Sequence, residues 1–140
     1  MVNKVKIKQC SKCGESKPIS EFLKAPHHSD GLSSQCRVCK NKQAIKHIQK
    51  VKLEVLSHYN NGLPLCSECG FGDINALSID HINGRGTQHK KSLGIPGGIA
   101  FYCWLKKQGF PEGYQTLCMN CQWIKKVKNR ECYTDSQEAR

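Results

Sequence analysis

Residues 65–70 read LCSECG, residues 76–86 read ALSIDHINGRG, and residues 117–126 read LCMNCQWIKK. The outer two stretches each hold a CxxC knuckle, Cys66/Cys69 and Cys118/Cys121, with 48 residues between them. A knuckle turns two thiolates toward one point, and two knuckles supply the four soft ligands that a structural zinc prefers. A second set, Cys10/Cys13 and Cys36/Cys39, lies upstream with 22 residues between its knuckles. Pairing neighbours along the chain predicts two closed four-cysteine zinc sites. The competing reading is a redox CxxC, but that motif needs a single pair within a βαβ pattern, not four pairs in a small basic chain. Cys103 and Cys132 stand alone and read as buried core thiols.

The chain has 140 residues, enough for one ordinary domain or two small modules. Its formal charge is +11, from 22 basic against 11 acidic side chains. Such an excess points to a polyanionic partner, most simply nucleic acid. Mean hydropathy is −0.56, and no apolar run approaches the roughly 18 residues of a membrane span. The start, MVNKVKIK, is basic without an apolar region behind it, so a secretory signal is not expected. Reduced thiols then follow, and ten cysteines need metal rather than disulfides to explain them. No membrane partner is expected.

Residues 1–45 form a first zinc module, with CSKCGESKPISEF and SDGLSSQCRVC as its two halves. From Arg37 the breakers disappear, and Ile45, Ile48, Val55 and Leu56 recur at near-helical spacing. This predicts one long helix over about 38–59, closed by Asn60-Asn61-Gly62. Its basic stretch, 46–61, connects the modules, and Lys46 and Lys50 stand where few acids offset them, as phosphate contacts would. The second module covers 62–133. ALSIDHI is a short β-run with Leu77, Ile79 and His81 on one face. The Gly-rich, basic residues 83–100 read as a loop. FYCWLKKQGF reads as a short helix, YQTLC as a strand and CQWIKKVKNRE as a last helix, with Trp104 and Trp123 packed in the core. Residues 134–140 read as a disordered tail. Neither module buries much apolar surface alone, so metal is expected to carry the fold.

Four thiolates close a zinc and leave no position for a reacting water, so chemistry must sit elsewhere. Asp80-His81, with a turn at Asn83-Gly84 behind it, pairs an oxygen ligand for a hard cation with a base that titrates near neutrality. Framed by the knuckles, LCSECG, SIDHINGRG and LCMNCQWIKK together resemble the HNH endonucleases. The N-terminal CSKCG…CRVC also resembles zinc modules that accompany such enzymes in phages and their hosts, including rare-cutting two-zinc restriction enzymes. The resemblance spans about residues 9–131.

It implies a small zinc-stabilised α+β protein with a ββα-metal core, preceded by a zinc-ribbon-like four-cysteine module and a long helix. Asp80 and Gln122 would hold one catalytic Mg²⁺ or Mn²⁺, beside the two structural zinc ions. His81 would activate water, with Asn83, Asn120 or His89 orienting it. Lys125 matches a lysine common in the family that meets phosphate; Arg85, Lys90, Lys91, Lys126 and Lys128 are further expected contacts to double-stranded DNA. Two departures stand out: Gln122 replaces the usual His or Asn, and Gly113 replaces an Asn that commonly orients the base. The implied activity is phosphodiester hydrolysis to 5′-phosphate and 3′-hydroxyl ends, in the cytoplasm of a bacterium or a phage-infected cell. Cutting both strands would call for a homodimer. A non-catalytic zinc-finger DNA-binding protein descended from such a nuclease is the alternative.

Overall fold

The computed structural model describes residues 5–131, which form two compact units divided between Ile48 and Gln49. It is a small α+β protein with three two-stranded antiparallel sheets and four α-helices among the described residues. Among these residues no helix is long and apolar enough to cross a membrane. Cys132 and the tail at 134–140 lie outside the described residues.

The first unit consists of two hairpins and the start of a helix. Strands β1 (Ile7–Gln9) and β2 (Ser16–Pro18) pair around the first knuckle. Strands β3 (Phe22–Lys24) and β4 (Leu32–Cys36) deliver the second knuckle into the first turn of α1 (Arg37–His58). Its buried cluster is Cys10, Phe22 and Cys36, with Leu32 and Cys39 packed against it. One phenylalanine and a set of thiols make no hydrophobic core of useful size. A metal ion bound by those thiols would hold the hairpins.

The second unit takes the rest of α1, so the helix expected as a separate connector over 46–61 is divided between the units. Val51, Val55 and Leu56 bury its inner face at i, i+4 and i+5 spacing. Strands β5 (Leu77–His81) and β6 (Tyr114–Cys118) pair in full register, from Leu77 opposite Cys118 to His81 opposite Tyr114. Leu77 and Ile79 pack with Leu105, Phe101 and Leu117 in the core. Thr116, fully buried, donates from Oγ1 to the Leu56 carbonyl at 2.8 Å and ties the end of α1 to the hairpin. The last helix, α4 (Met119–Lys128), starts at Cys118, whose sulfur accepts from the Cys121 amide.

Three expectations are corrected. Residues 83–100 are not wholly loop, because α2 (Gly86–Ser92) winds through them. Gly84 and Arg85 both adopt positive φ, at 69° and 60°, and complete the turn so tightly that the next seven residues are free to coil. Cys103 is exposed, because α3 (Ile99–Lys107) turns Phe101 and Leu105 inward, which leaves position 103 on the other side. Trp123 is 62% exposed rather than core, since α4 directs Gln122 and Lys125 toward the hairpin.

Replacing Thr116 by Val keeps the volume but leaves the buried Leu56 carbonyl without its donor. A loss of about 1–3 kcal/mol in unfolding free energy is expected, measured as a lower denaturant midpoint at unchanged zinc content.

Candidate functional site

Two clusters of thiols come first, because they position everything else. Within each of the groups Cys10/Cys13/Cys36/Cys39 and Cys66/Cys69/Cys118/Cys121, the four sulfur atoms lie within 4.8 Å of one another. Zn–S bonds of about 2.3 Å in a tetrahedron put sulfurs about 3.8 Å apart, and Cys69 and Cys118 are separated by 3.7 Å. Both groups are compatible with a zinc ion. The knuckles are built alike: Gly14 and Gly70, each at φ +74°, return their amides to the carbonyls of Cys10 and Cys66. The left-handed turn after the second cysteine needs glycine, which explains the repeated CxxCG.

The thiols also titrate as a crowded set. Amides of Cys13 and Cys36 point at the Cys10 sulfur and hold its pKa down at about 6. Burial and the neighbouring thiols push Cys39 up to about 12. In the second group the hydrogen bonds with Cys69 and Cys118 drive Cys121 strongly upward, whereas amides of Cys118 and Cys69 outweigh burial and hold Cys66 at about 6. One thiolate forms readily in each group, and four do so only around a cation.

The second cluster ties the far end of the β5/β6 hairpin to α4. The near end carries the polar residues. Asp80, on β5, is buried, and its Oδ2 accepts from Gln115 Nε2 at 2.9 Å and lies 3.1 Å from Lys125 Nζ. Its Oδ1 has a longer contact, 3.4 Å, with Gln122 Nε2, and the Gln122 Oε1 accepts from Ser78 Oγ at 3.3 Å. Lys125 donates as well to the His81 carbonyl and to Glu131 Oε1, at 2.9 and 2.7 Å. The desolvation that opposes its charge is outweighed by these acceptors, and its pKa is raised.

His81 leaves β5 on the opposite side from Asp80. Its ring stacks on Phe101 and meets Tyr114 edge-on, with centroids 5.5 and 4.8 Å away. Its Nε2 lies 3.0 Å from His89 Nδ1, and the Tyr114 hydroxyl is 3.3 Å from that same nitrogen. Burial, reinforced by His89 and Lys90, lowers the pKa of His81 below its ordinary value. These effects favour the neutral imidazole, the form that can accept a proton. Gly86 sets the space available, since a β-carbon there would come within 2.6 Å of His81 Nδ1.

Asp80, His81, Asn83, Arg85, Lys90, Gln122 and Lys126 line one open cleft of about 1280 Å³. Lys90 reaches it across the Phe101 ring, with Nζ 5.4 Å from the centroid. His89 stands behind His81 rather than in the cleft lining. Lys91 and Lys128 are exposed on α2 and α4, and Lys46 and Lys50 are exposed along α1. Lys125 turns inward to Asp80 and Glu131, with 15% of its side chain exposed. Gly113 lies beyond this group, in the turn before β6, where its carbonyl accepts from Ile82.

Tyr114, Gln115, Gly86 and Glu131 are site residues that sequence reasoning missed. The first two face His81 and Asp80 because of strand register, which a 32-residue connection does not reveal. Gly86 had a signal in the NGRG run, where two glycines flank one arginine. No family model matches this chain, and comparisons with curated proteins and with solved structures likewise found no significant match.

Gly86→Ala is expected to displace the His81 ring and leave the hairpin intact. The His81 Cε1–H resonance should shift while both thiol clusters keep their metal. An unchanged resonance would contradict the contact.

Proposed function

We propose that the second unit is a metal-dependent DNA endonuclease of the HNH type, hydrolysing phosphodiesters to 5′-phosphate and 3′-hydroxyl ends. One observation carries the reading. A histidine braced by aromatic rings and a buried carboxylate open onto the same cleft, and Arg85, Lys90 and Lys126 line that cleft with positive charge. Hairpin β5/β6 followed by α4, stapled at its far end by four cysteines, has the order of a ββα-metal core.

In this reading His81 takes the proton of the attacking water. If Nδ1 is the accepting atom, Nε2 carries its own proton toward His89 Nδ1, which fixes the tautomer and the ring plane. Tyr114 and Phe101 prevent the ring from swinging away. Arg85, Lys90 and Lys126 bind the phosphates that flank the scissile one.

The donor set suits a small hard cation. Asp80 Oδ1 is the less engaged oxygen, and a half-turn of the Gln122 amide would set a second oxygen beside it. Mg²⁺ or Mn²⁺ held there would supply charge neutralisation at the phosphate during cleavage. Gln122 has one methylene more than an Asn, one of the two residues usual at this position in the family it resembles, and Ser78 Oγ steadies its longer stem.

A second reading is favoured by the ion pair at Lys125. Its ammonium already neutralises Asp80 and is clamped by Glu131, the arrangement expected if the carboxylate had become structural. The chain would then be a DNA-binding zinc protein without cleavage.

Supercoiled plasmid separates the two. With Mg²⁺ the protein should convert it to nicked or linear forms, and His81→Ala or Asp80→Ala should lower the rate by at least about a hundredfold. Zinc content and DNA affinity should stay within about twofold of the parent. Binding without conversion selects the second reading, and wild-type cutting by His81→Ala removes that residue from the reaction. The same preparations should contain two zinc ions per chain. Cys36→Ser or Cys118→Ser should reduce that to one and collapse the unit concerned, since structural zinc contributes about 10 kcal/mol or more to folding modules of this size.

A further inference from the structure

Helix α4 exposes a row of large apolar side chains: Met119, Trp123, Ile124 and Val127 are each more than half in solvent. Met119 and Trp123 lie in the wall of the cleft that holds Asp80 and His81. A single exposed apolar side chain is ordinary, but a run of four large ones on one helix marks a surface that binds something. Lys126 holds its ammonium over the Trp123 ring, 5.3 Å from the centroid, and so leaves the other side of the ring open.

The charge around the row decides what covers it. Arg85, Lys90, Lys126 and Arg130 line the cleft, and its two acids, Asp80 and Glu131, are both spent on Lys125. Among the described residues the cleft therefore presents uncompensated positive charge. A second copy of the chain docked through α4 would bring Lys126 and Lys128 near their own equivalents, which repels. A polyanion with a flat apolar face satisfies both features. Within an intact duplex the base faces are stacked on one another, and only an unpaired or unstacked nucleobase can offer one to an indole.

We infer that Trp123 is a stacking platform for an unpaired nucleobase of DNA, so that the cleft takes a substrate with a single-stranded segment next to the scissile phosphate. The inference rests on the nuclease reading for the choice of DNA and for the scissile phosphate. The stacking itself needs just the cleft, its charge and the open indole. Lys126 has two roles here, shielding one side of the ring and meeting the phosphate that follows the stacked base. Met119 lines the same wall and completes an apolar floor.

The test uses the full zinc-loaded chain, without added Mg²⁺, and three unlabelled oligodeoxynucleotide probes. These are a 12-mer single strand, its intact duplex, and that duplex with a one-nucleotide gap. Tryptophan emission should be quenched by the single strand and the gapped duplex, and much less by the intact duplex. Trp123→Phe, which retains Trp104, should lose the quenching but bind within about threefold of the parent. Trp123→Ala should bind the single strand about tenfold more weakly, with less than a twofold change on intact duplex. Equal losses on all three probes, or no quenching by any, would overturn the inference. So would a parent dimer in sedimentation that Trp123→Ala splits without changing oligonucleotide affinity. Quenching and selective loss without plasmid cleavage would leave the platform standing and remove the nuclease reading. Plasmid cleavage with Trp123→Ala indistinguishable from the parent on every probe would do the reverse.

Discussion

Four sulfur atoms crowded within 4.8 Å of one another are the constraint on which each unit depends. Thiols packed that closely resist joint ionisation, as the upward shifts of Cys39 and Cys121 show. A divalent cation turns the same crowding into four bonds. In the first unit the sulfurs are most of the buried cluster, so the two hairpins have little else to hold them. In the second unit Cys66 and Cys118 belong to a larger core with Leu56, Leu77, Leu105 and Leu117. There the cluster acts more as a staple, joining the start of α4 to the far end of the β5/β6 hairpin.

That staple has consequences at the near end. With Cys118 locked to Cys121, α4 leaves the hairpin in a fixed direction, and Gln122 and Lys125 arrive over Asp80 one turn apart. On the reverse side of the hairpin, α3 supplies Phe101 against His81. The carboxylate and the imidazole therefore occupy different environments although they are neighbours in the chain. Asp80 is held among donors and a cation, whereas His81 is partly buried, and that burial together with His89 and Lys90 disfavours its charge. Adjacent residues on a strand point to opposite faces, and here each face has its own chemistry.

Lys125 connects these environments, because one ammonium meets Asp80, Glu131 and the His81 carbonyl. Read from sequence by its resemblance, this lysine is a phosphate contact. In the folded chain it is an internal counterion, and the outward charge of α4 and the turn after it rests on Lys126, Lys128 and Arg130 instead. The proposed cleavage chemistry and the proposed base stacking both draw on this division, with paired charges inside the cleft wall and, among the described residues, unpaired ones facing its opening.

What the sequence determined by itself was local. CxxC spacing implied the knuckles, the breaker-free run after Arg37 implied a helix that the structure bounds at Arg37–His58, and YQTLC implied the strand at Tyr114–Cys118. These patterns are set by neighbours a few residues apart, through turn geometry and helical or alternating burial. Tertiary structure alone decided which residues meet. The 32 residues between His81 and Tyr114 set the strand register, and the register brings Tyr114 to His81 and Gln115 to Asp80. The same long-range packing turned His89 onto His81. It also left Trp123 and Cys103 outside, because a helix buries only the face its partners reach, and which face that is depends on where the other elements lie.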